Sequence, residues 1–197
     1  MRSVRYSVAM SLDGYIGAPD GTYDWIVMDP AIDFAGLFAS FDTFLIGRRT
    51  YEVMQGMGPG PGMKGVTSIV FSRTLRQADH PGVTIVSGNA AAVVAELKAQ
   101  PGKDIWLFGG GELFRSLLEA KQVDAVEVGV MPVLLGGGVP LLPGPAPRAR
   151  LELVKSNVLP SGIVSLTYRV NYAPSSKRRA SARRKDSTNA GIEAGHA

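Results

Sequence analysis

The sequence predicts a single α/β domain with a mostly parallel central sheet, helices on both faces and a closing antiparallel hairpin. Short apolar, β-branched segments alternate with amphipathic helical segments, as expected for parallel strands joined by crossover helices. Hydrophobic residues make up 45% of the 197 residues, which is enough for one core. Two strand-like segments flank a Pro160-Ser161-Gly162 turn near the end of the predicted domain, and such a hairpin adds antiparallel edge strands.

The first half of the domain opens with a strand over residues 4–10. Asp29 precedes Pro30, and this pair is typical of a helix N-cap followed by the first helical residue. The apolar residues that follow repeat at i, i+3, i+4 and i+7 and predict one buried helical stripe: Phe34, Leu37, Phe38 and Phe41. The remaining elements expected here are a strand over residues 43–46, a helix over 50–55 and a strand over 66–71.

The second half continues the alternation of strands and helices. Asn89 is expected to cap a helix over residues 90–99, which Pro101 and Gly102 end. Strands are expected over residues 83–86, 105–108 and 123–130, a helix over 112–119, and the hairpin strands over 151–159 and 163–172. The Gly/Pro-rich run at residues 56–65 is predicted to be a mobile loop.

The net charge of +4 comes from the end of the chain. Residues 173–197 contain six basic and two acidic residues, so residues 1–172 are neutral. This terminal segment has one Ile and no aromatic residue, and we predict that it is disordered. Residues 1–172 are then the folded domain, and the tail is a solubilising extension or, less favoured, an electrostatic contact with nucleic acid.

Composition argues against several classes of protein. There is no cysteine and there are two histidines, so neither disulfides nor a bound metal are expected. No run of about 18 apolar residues predicts a membrane span. The first residues do not resemble a signal peptide, and a cytoplasmic protein is therefore expected.

Three predicted strand ends contain groups that suit phosphate binding. They are Gly47-Arg48-Arg49-Thr50, Ser72-Arg73-Thr74 and Gly109-Gly110-Gly111-Glu112. Glycine lets a phosphate approach the backbone, and a helix N-terminus offers free N–H groups. Each run alone could be a simple turn or cap. Because ligands bind at the carboxyl ends of parallel strands, the three together predict an extended anion site that suits a dinucleotide.

The order and spacing of five motifs carry a family resemblance. The motifs are SLDGYIG from residue 11, FLIGRRTYE from 44, IVFSR from 69, LFGGGEL from 107, and VDAVE from 123 with MPVLLGGG from 131. Together they resemble the dihydrofolate reductase-like superfamily, and more closely the RibD C-terminal reductase domain of riboflavin biosynthesis. The resemblance covers about residues 3–172 and implies a three-layer α/β/α fold.

The resemblance also implies NADPH as the cofactor and assigns residues to it. Ala9 and Ile16 would line the nicotinamide site, and Ser72 and Arg73 would bind the ribose 2′-phosphate. The pyrophosphate and adenosine parts would be met by Gly47, Arg48, Arg49, Thr50, Gly109, Gly110 and Gly111, followed by Glu112 and Leu113. The Gly109–Gly110 peptide bond is expected to be cis, as in the family.

The substrate end is less well defined by the sequence. Hydride transfer to a C=N or C=O group needs a proton donor, and the candidates are Asp13, Asp24, Asp29 and Asp33. Asp33 would flank the buried helical stripe and should be half-buried; its position also resembles the acidic residue of dihydrofolate reductases. Asp13 is expected to border the substrate although it is a common turn former. Trp25 is expected to be a pocket wall or a core aromatic.

The leading function is an NADPH-dependent reductase acting on a pyrimidine, pterin or ribosylamino compound. The reduction of 5-amino-6-(5-phosphoribosylamino)uracil is the nearest reaction that the resemblance suggests. Dihydrofolate reduction, reduction of another carbonyl or imine, a non-catalytic NADPH-binding protein and a tail-driven nucleic-acid binder are the alternatives. A homodimer is expected, with the apolar strands over residues 123–130 and 163–172 as its interface.

Overall fold

The structure is a computed structural model that describes residues 1–56 and 65–172. Most of the predicted loop at 56–65 and the whole predicted tail at 173–197 lie outside the described residues. The strands are β1 Val4–Ser11, β2 Tyr15–Gly17, β3 Phe41–Gly47, β4 Thr67–Phe71, β5 Thr84–Val86, β6 Asp104–Gly109, β7 Ala125–Met131, β8 Val139–Pro140, β9 Arg150–Val158 and β10 Val164–Asn171. The α-helices are α1 Phe34–Ala39, α2 Arg48–Gly56, α3 Ala90–Ala99 and α4 Gly111–Glu119.

Eight strands form one central sheet in the order β5-β4-β3-β6-β1-β7-β10-β9. The first six are parallel to their neighbours, whereas β10 is antiparallel to both β7 and β9. The predicted mostly parallel sheet with a C-terminal antiparallel hairpin is therefore confirmed. Along the chain, helices alternate with the parallel strands, because a parallel pair of strands needs a long crossover connection.

Two apolar clusters separate the sheet from its helix layers. On one face Tyr6, Leu107 and Val126 pack with Phe114 and Leu117 of α4, and all five side chains are buried. The cluster on the other face is contributed by β3, β4, β6 and α2 and includes Phe41, Phe44, Ile46, Tyr51, Val70 and Trp106. Alternate residues of a strand point to opposite faces, so the same strands supply both cores and produce the three layers.

The helix predicted to start at Asp29–Pro30 begins later. Asp33 is the N-cap of α1, and its carboxylate accepts a hydrogen bond from the backbone N–H of Gly36 at 2.8 Å. The side chain of Asp29 instead accepts from the backbone amides of Ala31 at 2.7 Å and Ser161 at 3.0 Å, so it ties this segment to the β9–β10 turn. The predicted N-cap was wrong because this distant turn offers Asp29 another partner.

The predicted buried helical stripe is divided between two elements. Phe41 is buried but starts β3, while Phe34, Leu37 and Phe38 are half-buried on the six-residue α1. The helix ends at Ser40, whose hydroxyl bonds back to the Leu37 carbonyl at 2.7 Å. A helical spacing of apolar residues thus continued across a helix–strand boundary.

The strands predicted as a dimer interface are mostly internal. β7 lies between β1 and β10, and its Val126 and Val128 are buried in the core. The exposed apolar side chains lie on the edge strand β9 instead: Leu151, Leu153, Val154 and Val158. Along the described part of the chain, no helix is both long and apolar enough to cross a membrane.

Candidate functional site

A long cleft of about 2070 Å³ runs along the carboxyl ends of the parallel strands and across one face of the sheet. Ordinary ligand pockets have volumes of roughly 300–1000 Å³, so this cleft has room for a dinucleotide and a second ligand. Its lining includes nearly every residue that the sequence singled out: Ala9, Ile16, Trp25, Asp33, Gly47, Arg48, Arg49, Thr50, Ser72, Arg73, Gly109, Gly110, Gly111, Glu112 and Leu113. The structure thus brings together three sequence motifs that lie up to 66 positions apart.

The glycine-rich end of the cleft, formed by residues 47–50, 72–73 and 109–113, is a closely packed backbone cradle. A Cβ on Gly47 would lie 3.3 Å from the Gly110 amide nitrogen, and a Cβ on Gly110 would lie 3.1 Å from the Thr50 hydroxyl. At Gly111 a Cβ would come within 2.7 Å of the Pro140 carbonyl oxygen. The Gly109–Gly110 peptide bond is cis, as predicted. Glycine fits these positions because a Cβ would press against neighbouring backbone at Gly47 and Gly111 and against the Thr50 side chain at Gly110.

Two nine-residue helices begin at this end. Gly110 is the N-cap of α4 and provides no side-chain hydrogen bond to the first turn. α2 starts at Arg48, directly after β3 ends at Gly47. The N–H groups of a first helical turn have no intrahelical partner, and together with the helix dipole they favour a bound anion.

The arginines at the glycine-rich end differ in their ion pairing. Arg48 is paired with Glu52 at 2.9 Å along α2. Arg49 and Arg73 line the cleft and have no acidic partner among residues 1–56 and 65–172. Two uncompensated guanidinium groups beside open helix N-termini make this end attractive to a phosphorylated ligand.

Ser72 has a structural role that the sequence did not predict. Its Oγ accepts hydrogen bonds from the backbone N–H groups of Thr74 at 3.2 Å and Leu75 at 3.0 Å, and the residue is 6% exposed. The hydroxyl therefore shapes the turn that presents Arg73 to the cleft. Glu112 similarly pairs with Arg115 at 2.8 Å at the start of α4.

Asp13, which was expected to border the substrate, is not among the residues that line the cleft. Its carboxylate accepts from the Ser11 hydroxyl at 2.6 Å and from the amides of Leu135 at 3.1 Å and Gly136 at 2.7 Å. The hydrogen bonds from Ser11, Leu135 and Gly136 hold the pKa of Asp13 below its usual value. The side chain joins the β1–β2 turn to the loop after β7.

Asp33 and Trp25 do line the cleft, on the segment above the sheet face. Asp33 is exposed rather than half-buried, because it caps the N-terminus of α1. Trp25 packs against Met131, Leu159 and Ile163, and its indole N–H donates to the Thr22 carbonyl at 3.2 Å. It is a wall residue, one of the two expected roles.

A second set of polar side chains, missed by sequence reasoning, crosses the sheet at the other end of the cleft. Strand register places Ser7 beside Glu127, Glu127 beside Thr167, and Thr167 beside Lys155, on β1, β7, β10 and β9. We call these four residues the polar face, and all four line the cleft. Glu127 lies in the VDAVE motif, and alternation of polar and apolar residues in the strands is the sequence signal for the other three.

Glu127 is held in place by Arg5. The Arg5 Nε and Nη2 atoms donate to the two carboxylate oxygens at 2.8 and 3.0 Å, and a second acid, Asp104, lies 3.4 Å from Nη1. Burial alone would lower the pKa of Arg5, but the hydrogen bond and charge of Glu127, with those of Asp104, raise it above its ordinary value. A bidentate pair of this kind fixes the carboxylate geometrically.

These features define an α/β protein whose cleft joins a glycine-rich end with two unpaired guanidinium groups to a separate polar face. The family profile described as the RibD C-terminal domain matches residues 2–165. The chain therefore belongs to the RibD C-terminal domain family.

Known proteins share both sequence and fold with the chain. Protein YyaP of Bacillus subtilis is 32% identical over 181 residues, which is 86% of this chain and 96% of YyaP. A putative riboflavin biosynthesis protein from Shewanella sp. PV-4 is 26% identical with a TM-score of 0.74, covering 87% of this chain and 99% of that one. Dihydrofolate reductase from Enterococcus faecalis, solved with NADP(H), is 18% identical with a TM-score of 0.62 over 86% and 96% of the two chains. The fold is thus dihydrofolate reductase-like.

Proposed function

We propose that the protein is an NADPH-dependent reductase that transfers hydride to a pyrimidine-like, pterin-like or ribosylamino substrate. The observation that supports this most directly is the meeting of two unpaired guanidinium groups, Arg49 and Arg73, with open helix N-termini and a glycine cradle. Membership of the RibD C-terminal domain family and the NADP(H) bound by the Enterococcus reductase of the same fold support the choice of cofactor.

The residues at the glycine-rich end fit such a cofactor. Gly47, Gly109, Gly110 and Gly111 allow close packing where β3, β6, α2 and α4 meet, and a phosphate would bind the free N–H groups of the helix N-termini beside them. Arg73 would bind the 2′-phosphate with Arg49 beside it, while Ser72 holds the turn. When bound, NADPH supplies the hydride; the chain's residues bind and orient it against the sheet.

Specificity for NADPH over NADH follows from charge. The 2′-phosphate is an anion that NADH lacks, and a hydrogen bond to a charged group contributes about 1.5–3 kcal/mol. One arginine–phosphate contact therefore corresponds to about 10- to 150-fold in affinity. Because neither arginine is neutralised by an acid among the described residues, that contribution is available to the ligand.

Calorimetric titration with NADPH and NADH tests the cofactor. We expect Arg73→Ala to weaken NADPH binding about 10- to 150-fold and to leave NADH binding unchanged. Arg76→Ala is the matched control, because Arg76 is exposed three residues away and does not line the cleft. No NADPH binding by the unmodified chain would overturn the proposal.

Turnover is followed by the loss of NADPH absorbance at 340 nm with 5-amino-6-(5-phosphoribosylamino)uracil and with dihydrofolate. Oxidation with the first compound identifies the RibD-type reaction, and oxidation with the second alone identifies dihydrofolate reductase activity. Tight NADPH binding without oxidation by either compound, or by a panel of other pterins, aminouracils and aldehydes, would identify a non-catalytic NADPH-binding protein.

We also propose that the protein acts in the cytoplasm as a homodimer that pairs through β9. All nine residues of this edge strand are exposed, with Leu151 and Leu153 at 47% and 54%, and an exposed apolar edge strand favours association with another strand. Light scattering should give twice the chain mass of 20.9 kDa, and Leu153→Lys should give the single mass. A monomeric unmodified chain would contradict this assembly.

A further inference from the structure

The polar face contains a carboxylate that the proposed cofactor site does not use. We propose that Glu127 selects the substrate by accepting hydrogen bonds from N–H groups of a planar heterocycle that lies on the sheet beside it. This inference deepens and rests on the proposed reductase function, because it names the residue that recognises the second ligand and the chemistry that it recognises.

The Glu127 carboxylate is held in position but still has free hydrogen-bond acceptor sites. Arg5 uses one acceptor site on each carboxylate oxygen, whereas a carboxylate offers about four such sites. The Arg5 guanidinium is itself fixed by the Ser40 hydroxyl at 3.2 Å and lies 4.6 Å above the ring of Phe41. The Glu127 side chain is 15% exposed and lines the cleft, so its remaining acceptor sites are available to a ligand.

The neighbours of Glu127 in the sheet are also polar. Ser7 and Thr167 flank it on adjacent strands, and Lys155 is the next residue along the row. Their side chains make no hydrogen bond within residues 1–56 and 65–172, and all three line the cleft. Hydroxyl groups both donate and accept, so a ring with N–H groups next to carbonyl oxygens would find a partner for each.

The part of the cleft beside Glu127 has a shape that suits a flat ligand. In the next row of the sheet Ala9 lies opposite Gly129, so the sheet itself forms a low floor there. Met131 and Ile163 close one side of this floor, 3.4 and 3.8 Å from where a Gly129 Cβ would lie. Trp106 and Phe38, whose ring centroids are 5.3 Å apart, line the cleft on the side of β6 and α1. The Trp106 indole N–H donates to the Ser7 carbonyl at 2.9 Å, which fixes that ring. A low floor with aromatic walls suits a planar ligand.

The charges around Glu127 differ from those at the glycine-rich end. Arg5 faces two acids, Glu127 and Asp104, so these three residues carry a net charge of −1. Lys155 in the same row brings the sum to zero, in contrast to the two positive charges of Arg49 and Arg73 at the glycine-rich end. Hydrogen-bond donors rather than phosphates are favoured next to Glu127. Asp33 differs because its carboxylate is exposed and accepts one hydrogen bond, from the amide of Gly36, whereas both oxygens of Glu127 are fixed by Arg5.

The test compares two probes, 5,6-diaminouracil and 5,6-diamino-1,3-dimethyluracil, titrated into the full chain with and without saturating NADPH. The two compounds share ring, carbonyl and amino groups, but the second lacks the ring N–H donors. We expect the unmodified chain to bind the first at least tenfold more tightly. Glu127→Gln should weaken its binding about tenfold and remove the discrimination, because an amide presents N–H groups where the carboxylate accepted them.

Glu152→Gln is the matched control. Glu152 is on β9, forms an exposed ion pair with Arg169 and does not line the cleft, so binding and discrimination should be unchanged. If Glu127→Gln fails to fold, Gly129→Val replaces it: the ion pair is retained while the added side chain occupies the low floor, and binding of 5,6-diaminouracil should be lost.

Two results overturn the inference. One is no binding of 5,6-diaminouracil to the unmodified chain at millimolar concentration. The other is unchanged discrimination in Glu127→Gln, or unchanged binding in Gly129→Val where that variant is used. If NADPH binds normally in these experiments, only this inference fails. If 5,6-diaminouracil binding depends on Glu127 but NADPH does not bind at all, only the proposed function fails.

Discussion

The glycine-rich end and the polar face of the cleft are built from different kinds of sequence information. At the first end, each contribution is a short continuous motif in which a strand ends and a helix or turn begins. At the second, Arg5 and Glu127 are 122 positions apart and meet only because β1 and β7 are adjacent in the sheet. A main-chain anion site can therefore be predicted from a short stretch of sequence, whereas a site built from side chains of several strands depends on strand order.

The two ends also differ in what holds them. Backbone contacts within van der Waals distance define the glycine-rich end, while the Arg5–Glu127 ion pair and its neighbours define the polar face. Substitutions that add volume should therefore damage the first end most, and substitutions that change hydrogen-bond character should damage the second.

The largest effect is expected for Gly111→Val. A Cβ at this position would lie 2.7 Å from the Pro140 carbonyl oxygen and 2.8 Å from Pro143 Cδ, so backbone must move. Overpacking of this kind costs about 1–3 kcal/mol of stability, and NADPH binding should fall more than tenfold. Urea unfolding and calorimetry measure both quantities. Gly56→Ala is the control, since its Cβ meets nothing within 4 Å; equal losses in both variants would argue against the cradle.

A smaller effect is expected at Asp33. Asp33→Ala removes the N-cap of α1, and such a loss costs about 0.5–2 kcal/mol. Asp33→Asn keeps a capping oxygen and should stay close to the unmodified chain in stability and in turnover. A fall in kcat of more than a hundredfold in Asp33→Asn, with NADPH affinity unchanged, would instead identify Asp33 as the proton donor. Denaturant unfolding together with steady-state kinetics separates the two roles.

Asp29 offers a pH-dependent test of the segment above the polar face. Hydrogen bonds from Ser161 and from the Ala31 amide hold the pKa of Asp29 below its usual value. Because the pKa is lower in the folded state, the stabilising contribution is complete above the unfolded-state pKa and is lost as the pH falls through the folded-state pKa. Asp29→Asn should therefore be less stable than the unmodified chain at pH 7, with a difference that shrinks toward pH 3 in urea unfolding. A difference that is independent of pH would contradict the role of the charge.

The smallest effect is the coupling between the two ends. Arg73 follows β4 and Glu127 is on β7, four strand spacings away, which is about 19 Å. For each ligand, NADPH or 5,6-diaminouracil, the loss of binding free energy in the Arg73→Ala/Glu127→Gln double variant should equal the sum of the losses in the two single variants. We expect agreement to within about 0.3–0.5 kcal/mol. A larger deviation in the binding titrations would show that the two ends are not independent.

The fold class and the glycine-rich end could be predicted because their signals are local. The capping residues and glycines at positions 47–50, 89 and 109–111 predict the local backbone conformation by themselves. The turn between β9 and β10 likewise predicts the hairpin. The small antiparallel pair of β2 with β8 was not predicted, since strands of three and two residues are too short for a periodic pattern.

Carboxylates were the hardest residues to predict. Asp13 and Asp29 accept backbone amides from Gly136 and Ser161, which lie 123 and 132 positions away, whereas Asp33 caps α1 locally through Gly36. Glu127 belongs to the VDAVE motif, but its pairing with Arg5 was not predicted. A carboxylate takes whichever N–H or guanidinium donor lies nearest, and nearness across more than a hundred positions is decided by tertiary structure.

The amino-acid sequence by itself thus determined the order of elements, the main-chain cradle at the ends of three strands and the family to which they belong, because backbone conformation and hydrophobic periodicity are properties of neighbouring residues. Tertiary structure alone decided where α1 begins, which acids face the cleft and which strands remain at the surface. The physical reason is that register and strand order bring distant donors and acceptors within hydrogen-bonding distance, and no local pattern encodes that distance.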